Sequence, residues 1–241
     1  MTPVSTAPDK TADRIAGMFD AIAPRYDLLN HLLSAGIDKR WRARMIRSLE
    51  LTGRETLVDV CTGTGDVALA ARAAGAARVL GVDFAGAMLR LGVTKVQGAG
   101  QDDRVTLVRG DAMRLAVAAN VADAVTVAFG IRNVEQPEVA CREMARALRP
   151  GGRLAILEFG TPRVPGLRSL YQWYFRSVLP LLGRMISGHN AAYSYLPASV
   201  GAFPPPDVFC ETLRRAGFNN VRAVPLTFGI VYLYMGRRAA P

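Results

Sequence analysis

Carboxylates and glycines recur in this sequence where short apolar runs end, and this spacing is typical of a ligand site. Glycine tolerates positive φ and lets a ligand approach the backbone closely, and a helix that begins after the turn offers free N–H groups. In open α/β sheets, ligands bind at the carboxyl ends of the strands. The candidate residues are Asp59, Gly63, Thr64, Gly65, Asp83, Asp111 and Ala112.

The three aspartates indicate which ligand this turn would hold. Asp59 precedes the glycine turn, where it would repel a pyrophosphate and attract a cation. Asp83 is placed to take both hydroxyls of a ribose, and Asp111 to accept the exocyclic amine of an adenine. We therefore expect S-adenosylmethionine, an adenosyl sulfonium without phosphate. Two alternatives stay open: the turn also fits the G-x-G-x-x-A pattern of dinucleotide sites, and strand-end aspartates can simply cap helices.

The elements that must position these residues alternate along the chain. Strand-like apolar runs lie at 56–61, 77–83, 105–111, 122–130 and 152–160. Segments of helical composition and period lie at 66–75, 85–97 and 134–150. Strands that alternate with helices predict a parallel sheet covered on both faces. After a helix at 205–217, two strand-like runs meet at Gly229, which predicts an antiparallel hairpin at the end of the sheet.

Length, charge and cysteine content limit the class of protein. The 241 residues suit a single domain, and the 50% hydrophobic content allows a sizeable core. Three scattered cysteines and two histidines give no disulfide framework and no metal site, which indicates a reducing compartment. The formal charge of +10 favours an anionic partner such as nucleic acid, anionic lipid or substrate. Without a signal peptide or an apolar run of ~18 to 20 residues, we expect a cytoplasmic protein.

Four stretches carry a resemblance to a known family. They are YDLLNHLLSAGIDKRW (26–41), FGIRNV (129–134), LRPGGRLAILEF (148–159) and AYSYLP (192–197). From about Met18 to Arg238 the sequence resembles the ubiquinone/menaquinone biosynthesis C-methyltransferases, which methylate a ring carbon of a polyprenylated hydroquinone. The resemblance implies a class I, Rossmann-like methyltransferase fold, with a seven-stranded, mostly parallel sheet and an antiparallel C-terminal hairpin. It also implies cofactor contacts at Thr64, Asp83, Asp111 and Ala112.

The sequence departs from the family pattern at three positions. Leu29 stands where Met is common, Asp38 where His is frequent, and Ala128 where a serine can contact the cofactor. Because Asp38 lacks an imidazole, it is a poor candidate for an essential base. Ala128 removes one side-chain contact to the cofactor.

The chemistry implied by the resemblance needs groups that make a quinol ring nucleophilic. A phenol titrates near ~10 in water, so the site needs a base or a cation that stabilises a phenolate. Arg132 and Asn133 follow the fourth strand, and we expect them beside the acceptor. An arginine is a poor base, but Arg132 can stabilise a phenolate or orient a water. The structural alternative is an ion pair of Arg132 with Glu135 or Glu158.

The stretch 26–41 predicts a helical lid over the reacting ring. Tyr26 and Asn30, and likewise Asp27 and His31, form i,i+4 pairs on a helix. His31 can act as the base with Asp27 orienting it, and a purely structural histidine is the alternative. We assign residues 1–50 to an N-terminal helical cap.

Residues 166–200 predict an inserted apolar helix and a substrate-side loop within a single domain, 1–241. Leu167–Ser187 mixes aromatic and aliphatic residues with arginines. This composition suits a channel for a polyprenyl tail or a helix at an anionic membrane surface, and packing on the core is the alternative. Tyr193 and Tyr195 can line the ring pocket.

We therefore expect S-adenosylmethionine-dependent C-methylation of a lipophilic quinol. The reaction converts demethylmenaquinol to menaquinol, or methylates a methoxy-polyprenyl-benzoquinol in ubiquinone biosynthesis. The rivals are a dinucleotide-dependent oxidoreductase, a nucleic-acid methyltransferase and a non-catalytic scaffold subunit. Nucleic acid is not an expected partner, because the sequence lacks the catalytic tetrad of enzymes that act on flipped bases. A homo-oligomer and peripheral association with a membrane are compatible with the sequence.

Overall fold

The computed structural model describes residues 9–34, 36–162, 166, 169 and 190–240, and the side chains at 12, 29–33 and 190–194 lie outside that description. The chain forms a central sheet between helices. Its strands are β1 (Thr56–Val60), β2 (Arg78–Asp83), β3 (Val105–Arg109), β4 (Ala122–Ala128), β5 (Leu148–Phe159), β6 (Phe218–Leu226) and β7 (Val231–Arg238).

The strand order is β3-β2-β1-β4-β5-β7-β6. Strands β1 to β5 pair in parallel, whereas β7 runs antiparallel to both β5 and β6. The expectation of a seven-stranded, mostly parallel sheet with a C-terminal hairpin is confirmed. The order reverses between β1 and β4, and the crevice at such a switch point is where open sheets of this kind bind ligands.

Helices cover both faces of the sheet. They are α1 (Ala12–Leu33), α2 (Ile37–Arg47), α3 (Asp66–Ala73), α4 (Gly86–Gly98), α5 (Pro137–Ala147), α6 (Asn190–Ala202) and α7 (Pro206–Arg215). On one face α5 and α7 bury apolar residues at helical spacing, such as Phe209 and Leu213. On the other face α2 and α3 bury Trp41, Met45 and Val67. Each helix therefore presents its apolar stripe to strands that are apolar on both sides.

Strand β5 is longer than the sequence pattern predicted. It begins at Leu148, which pairs with Ala122, and the register shifts between Ala122 and Ala124 before the regular pairing starts. The Gly151–Gly152 step lies inside this stretch, and Gly151 has a φ of 76°. This irregularity adds paired residues before the apolar run. Because the hydrophobic pattern begins only with that run, it predicted a later start for β5.

The predicted N-terminal cap corresponds to α1 and α2. Helix α1 packs against α4 and α2, and it also contacts α6. Of the predicted insertion at 166–200, the structure describes Gly166, Ser169 and α6, while Leu167, Arg168 and residues 170–189 lie outside the described residues. Among the residues described, the structure contains no helix long and apolar enough to cross a membrane.

Candidate cofactor and acceptor site

The turn after β1 is built from residues in the left-handed region. Cys61 has a φ of 55°, Gly63 of 56° and Gly65 of 79°. Gly65 is the residue before α3, and its backbone N–H donates to the carbonyl of Thr62 at 3.0 Å. Without side chains at Gly63 and Gly65, the chain reverses tightly and leaves the end of β1 open to a ligand.

Asp59 braces this turn from below. It is fully buried, and its carboxylate oxygens accept the hydroxyls of Thr62 at 2.6 Å and Thr126 at 2.7 Å. Burial, and to a lesser degree the nearby charge of Asp83, raises the pKa of Asp59 to about 7. The expectation was that Asp59 faces a cationic ligand; both of its oxygens accept threonine hydroxyls, and a contact with the ligand stays a prediction.

Asp83 ends β2 and faces the open crevice. Its two oxygens accept the backbone N–H groups of Gly63 and Ala85, each at 2.8 Å. Burial raises the pKa of this carboxyl group, and the two backbone N–H donors act in the opposite direction. Each carboxylate oxygen has more than one lone pair, so Asp83 keeps acceptor capacity for two hydroxyls.

Asp111 and Ala112 lie beyond the end of β3. Asp111 accepts the backbone N–H of Met113 at 2.8 Å, so its carboxylate caps the local turn. Ala112 is buried in the core. Neither residue lines the cavity, and neither do Thr64, Gly65 or Arg132.

A crevice opens at the switch point between β1 and β4. Its largely apolar lining with a few polar groups is typical of small-molecule sites. The strand ends approach closely here, since a Cβ on Gly130 would lie 2.3 Å from the Cβ of Cys61. The lining residues are Phe19, Tyr26, Cys61, Gly63, Asp83, Phe84, Ala85, Met88, Ala128, Phe129, Gly130 and Asn133.

Helix α1 covers this cavity from the side opposite the strands. Phe19 and Tyr26 pack edge to face, with ring centroids 5.9 Å apart, and both line the cavity. Asp20 on the same helix accepts the backbone N–H of Ala87 at 2.7 Å, in the first turn of α4. A carboxylate from α1 thereby caps α4 and fixes the lid to the cofactor side of the site.

Asp27 makes contacts other than those expected. Its carboxylate accepts the hydroxyl of Thr64 at 2.7 Å and pairs with Lys95 of α4 at 2.5 Å. Lys95 also contacts Asp66 at 2.7 Å. Asp27 therefore ties α1 to the glycine turn and to α4. The side chains of Asn30 and His31 lie outside the described residues, and their roles stay predictions.

Arg132 forms the structural ion pair that the sequence left as an alternative. Its guanidinium contacts Glu158 at 2.8 Å and also donates to the carbonyl of Phe129. It lies over the ring of Phe159, 5.3 Å from the centroid. Asn133 is buried beside it and, unlike Arg132, lines the cavity. The ion-pair alternative with Glu158 is therefore the arrangement observed, and a role of Arg132 beside the acceptor stays a prediction.

Sequence reasoning missed several lining residues, among them Phe19, Met88 and Phe129. Phe129 adopts a φ of 60°, and its ring lies 4.6 Å from that of Phe159 and 6.1 Å from that of Trp41. A non-glycine residue with positive φ at a strand end is typical of a functional site. The residue type, phenylalanine, does not indicate that its backbone adopts this conformation. Phe19 lies before the stretch 26–41 and could have been found as the residue about two helical turns before Tyr26, on the same face of the helix.

The sheet order, the open glycine turn and an acidic residue at the end of β2 define a class I methyltransferase. The chain belongs to the ubiE/COQ5 methyltransferase family, which it matches over residues 8–238. It is therefore an S-adenosylmethionine-dependent methyltransferase.

Individual relatives agree with this placement over nearly their full lengths. The chain is 51% identical over 225 residues to the ubiquinone/menaquinone biosynthesis C-methyltransferase UbiE of Syntrophotalea carbinolica, covering 93% of this chain and 94% of that protein. It is 45% identical to the demethylmenaquinone methyltransferase of Thermus thermophilus, covering 92% and 100%. A solved SAM-dependent methyltransferase from Thermotoga maritima shares the fold, with a TM-score of 0.64, 15% identity and coverage of 92% and 98%.

Proposed function

We propose that this enzyme methylates a ring carbon of a reduced, polyprenylated quinone, with demethylmenaquinol as the acceptor. The observation that carries the proposal is the sequence similarity to the UbiE and demethylmenaquinone methyltransferases, with 51% and 45% identity over more than nine-tenths of this chain. Names of both kinds occur among these relatives, so a methoxy-polyprenyl-benzoquinol of ubiquinone biosynthesis is the second candidate acceptor.

The residues that would hold the cofactor lie around the cavity. Asp83 offers its remaining lone pairs to two ribose hydroxyls, and the turn at Gly63 allows close approach to the backbone. Phe19 and Tyr26 close the cavity from α1 and exclude water. We keep Thr64, Asp111 and Ala112 as proposed contacts through their backbone atoms, because the described side chains of Thr64 and Asp111 are engaged elsewhere. When bound, S-adenosylmethionine supplies a methyl group activated by a sulfonium.

The residues beside the acceptor have to position the ring and to lower the free energy that is needed to form a phenolate. Methylation of the ring carbon would replace the proton on that carbon, so the site also needs a group that accepts this proton. Asn133 lies at the cavity wall, and Glu158 holds the preceding residue, Arg132, through its backbone N–H and its guanidinium. Arg132 contributes positive potential toward a developing phenolate without leaving its ion pair. His31, Tyr26 and solvent are the candidate proton acceptors.

A lipophilic acceptor has to reach this site from a membrane. The net charge of +10 favours an anionic surface, and Leu28 on the lid and Phe228 in the β6–β7 turn are 61% and 76% exposed. We propose peripheral association at the cytoplasmic face of the membrane. Co-sedimentation with vesicles containing anionic lipid, compared with neutral vesicles at the same salt concentration, tests it.

The function is tested by an activity assay with two acceptors. Purified enzyme, S-adenosylmethionine and a reductant are combined with a short-chain demethylmenaquinol or a methoxy-benzoquinol, and the product mass is measured. We expect a gain of one methyl on the ring of the naphthoquinol and no product without reductant. Absence of any turnover would favour a non-catalytic subunit. Tight binding of NADH but not of S-adenosylmethionine in calorimetry would favour an oxidoreductase.

A further inference from the structure

Buried polar atoms without partners gather at one place in this enzyme. In the described part of the chain, four buried side-chain atoms make no hydrogen bond. Three of them are the Nε of Arg132, the Oδ1 of Asn133 and the hydroxyl of Tyr195. Helix α6, which carries Tyr195, packs against the short turn Ile131–Asn133. The Tyr195 hydroxyl also lies near enough to Arg132 and Glu158 for their charges to act on it.

Such a cluster has an energetic cost that folding alone does not explain. An unsatisfied buried donor or acceptor costs ~1 to 3 kcal/mol, and native proteins contain few of them. Arg132 Nε offers a donor, Asn133 Oδ1 an acceptor, and Tyr195 either. Asn133 is nine-tenths buried and lines the cavity beside Cys61 and Asp83. The chemical group that complements this set both donates and accepts one hydrogen bond, as a hydroxyl does.

We propose that Tyr195 and Asn133 together bind a ring hydroxyl of the acceptor, and that Tyr195 is a specificity-determining residue. This inference rests on the proposed function and adds to it a reason for selecting the reduced ring. A hydroxyl donates to Asn133 Oδ1 and accepts from the Tyr195 hydroxyl. A quinone carbonyl accepts from Tyr195 but leaves Asn133 Oδ1 unpaired, and a site built for a hydroxyl rejects the analogue that lacks it.

The test compares Tyr195→Phe with a matched control, Tyr234→Phe. Tyr234 is a buried tyrosine of β7 that packs against Phe209, away from the cavity. With a short-chain demethylnaphthoquinol as acceptor, we expect kcat/KM to fall about tenfold to a hundredfold in Tyr195→Phe, the equivalent of one lost hydrogen bond to a buried group. Cofactor affinity should stay within twofold. The melting temperature should not fall, because the Tyr195 hydroxyl has no partner to lose within the described structure.

A second measurement uses the acceptor rather than the protein. The wild-type enzyme should bind the quinol more tightly than its oxidised quinone or its monomethyl ether, measured by calorimetry with S-adenosylhomocysteine present, and Tyr195→Phe should reduce this preference. Unchanged acceptor kinetics and unchanged preference in Tyr195→Phe would overturn the inference and leave the proposed function intact. A wild-type enzyme that neither binds nor methylates the quinol would overturn both.

Discussion

The two halves of the site differ in how completely the protein satisfies its own polar groups. Asp59 at the end of β1 and Asp83 at the end of β2 each accept two hydrogen bonds, three of them from the turns that follow these strands and one from Thr126 of β4. Asn133, in the turn after β4, and Tyr195, on α6, keep buried polar atoms without a partner in the described residues. In the proposed cofactor half the polar groups are therefore paired within the protein, whereas we infer that a ligand pairs those of the acceptor half.

We expect the first half of the site to determine cofactor affinity and the second half to determine which acceptor is used. A pre-formed carboxylate cradle binds an adenosyl ligand without rearrangement and loses little conformational entropy. The acceptor half gains most binding free energy from a ligand that makes hydrogen bonds to its unpaired polar atoms. Each variant below changes one half of the site. An effect on the other half would show that the two halves do not act separately.

The largest effect is expected from Glu158→Gln, which removes the charge that Arg132 needs. Leaving a buried guanidinium uncompensated costs ~3 to 5 kcal/mol of unfolding free energy, and the Arg132 and Glu158 side chains are only 7% and 0% exposed. Urea denaturation measures this loss. A double variant, Arg132→Met with Glu158→Leu, should recover much of it. If the free energy of cofactor binding in the folded variant fell by as much as its free energy of unfolding, the two halves of the site would not act separately.

Asp59→Asn tests the buried brace of the cofactor half through its pH dependence. Burial holds the pKa of Asp59 at about 7, above its ordinary value of 3.8, so the folded state favours the protonated form. Its stabilisation is therefore complete below pH ~4 and is lost as the pH rises towards 7, on the order of a few kcal/mol in total. Asp83 contributes in the same direction, because its pKa is also raised.

We expect Asp59→Asn to flatten this decline in unfolding free energy, as measured by urea titrations at several pH values between about 4 and 8. Asp103→Asn, at an exposed carboxylate that pairs with its neighbour Arg104, serves as the control and should reproduce the wild-type slope. An unchanged slope in Asp59→Asn would mean that Asp59 is ionised throughout this range.

Asp83→Ala should weaken S-adenosylmethionine binding by ~1 to 3 kcal/mol, because two hydrogen bonds to the ribose are lost. Calorimetric titration measures the dissociation constant, and Asp103→Ala is again the matched control. The KM for the quinol, measured at saturating cofactor, should stay close to the wild-type value. Cofactor affinity equal to wild type would remove Asp83 as the ribose ligand.

The smallest effect is expected from Lys95→Met, which breaks the link between the lid and the turn. Lys95 contacts Asp27, Asp66 and Thr64, and its side chain is 32% exposed, so solvent screens these pairs. We expect a cost of ~0.2 to 1 kcal/mol, seen as a faster dissociation of the cofactor in stopped-flow measurements. Raising the salt concentration should speed dissociation in the wild type and have less effect in the variant. Equal salt dependence in both would show that this link does not hold the lid.

The fold and the cofactor crevice follow closely from local patterns. Alternating strands and helices, the glycine turn and Asp83 at the end of β2 are encoded within short segments, and parallel strand ends must meet at one edge of the sheet. Sequence reasoning did not identify the partners of Asp59 and Asp27, and it named Glu158 as a partner of Arg132 only as one alternative. Each of these side chains pairs with a residue from a distant segment: Thr126, Lys95 and Glu158 respectively. Residue type and spacing do not predict which of several possible partners a charged group will meet.

The sequence by itself determined the sheet, its C-terminal hairpin, the family and the position of Asp83 at the end of β2. These depend on periodicity, on glycines with positive φ and on residues within a few positions of one another. The tertiary structure alone decided that Asp59 pairs with Thr126, that Asp27 ties α1 to the glycine turn and to α4, and that Arg132 pairs with Glu158. It also decided which buried polar atoms stay unpaired, because the pairing of a buried polar group depends on every element that packs around it.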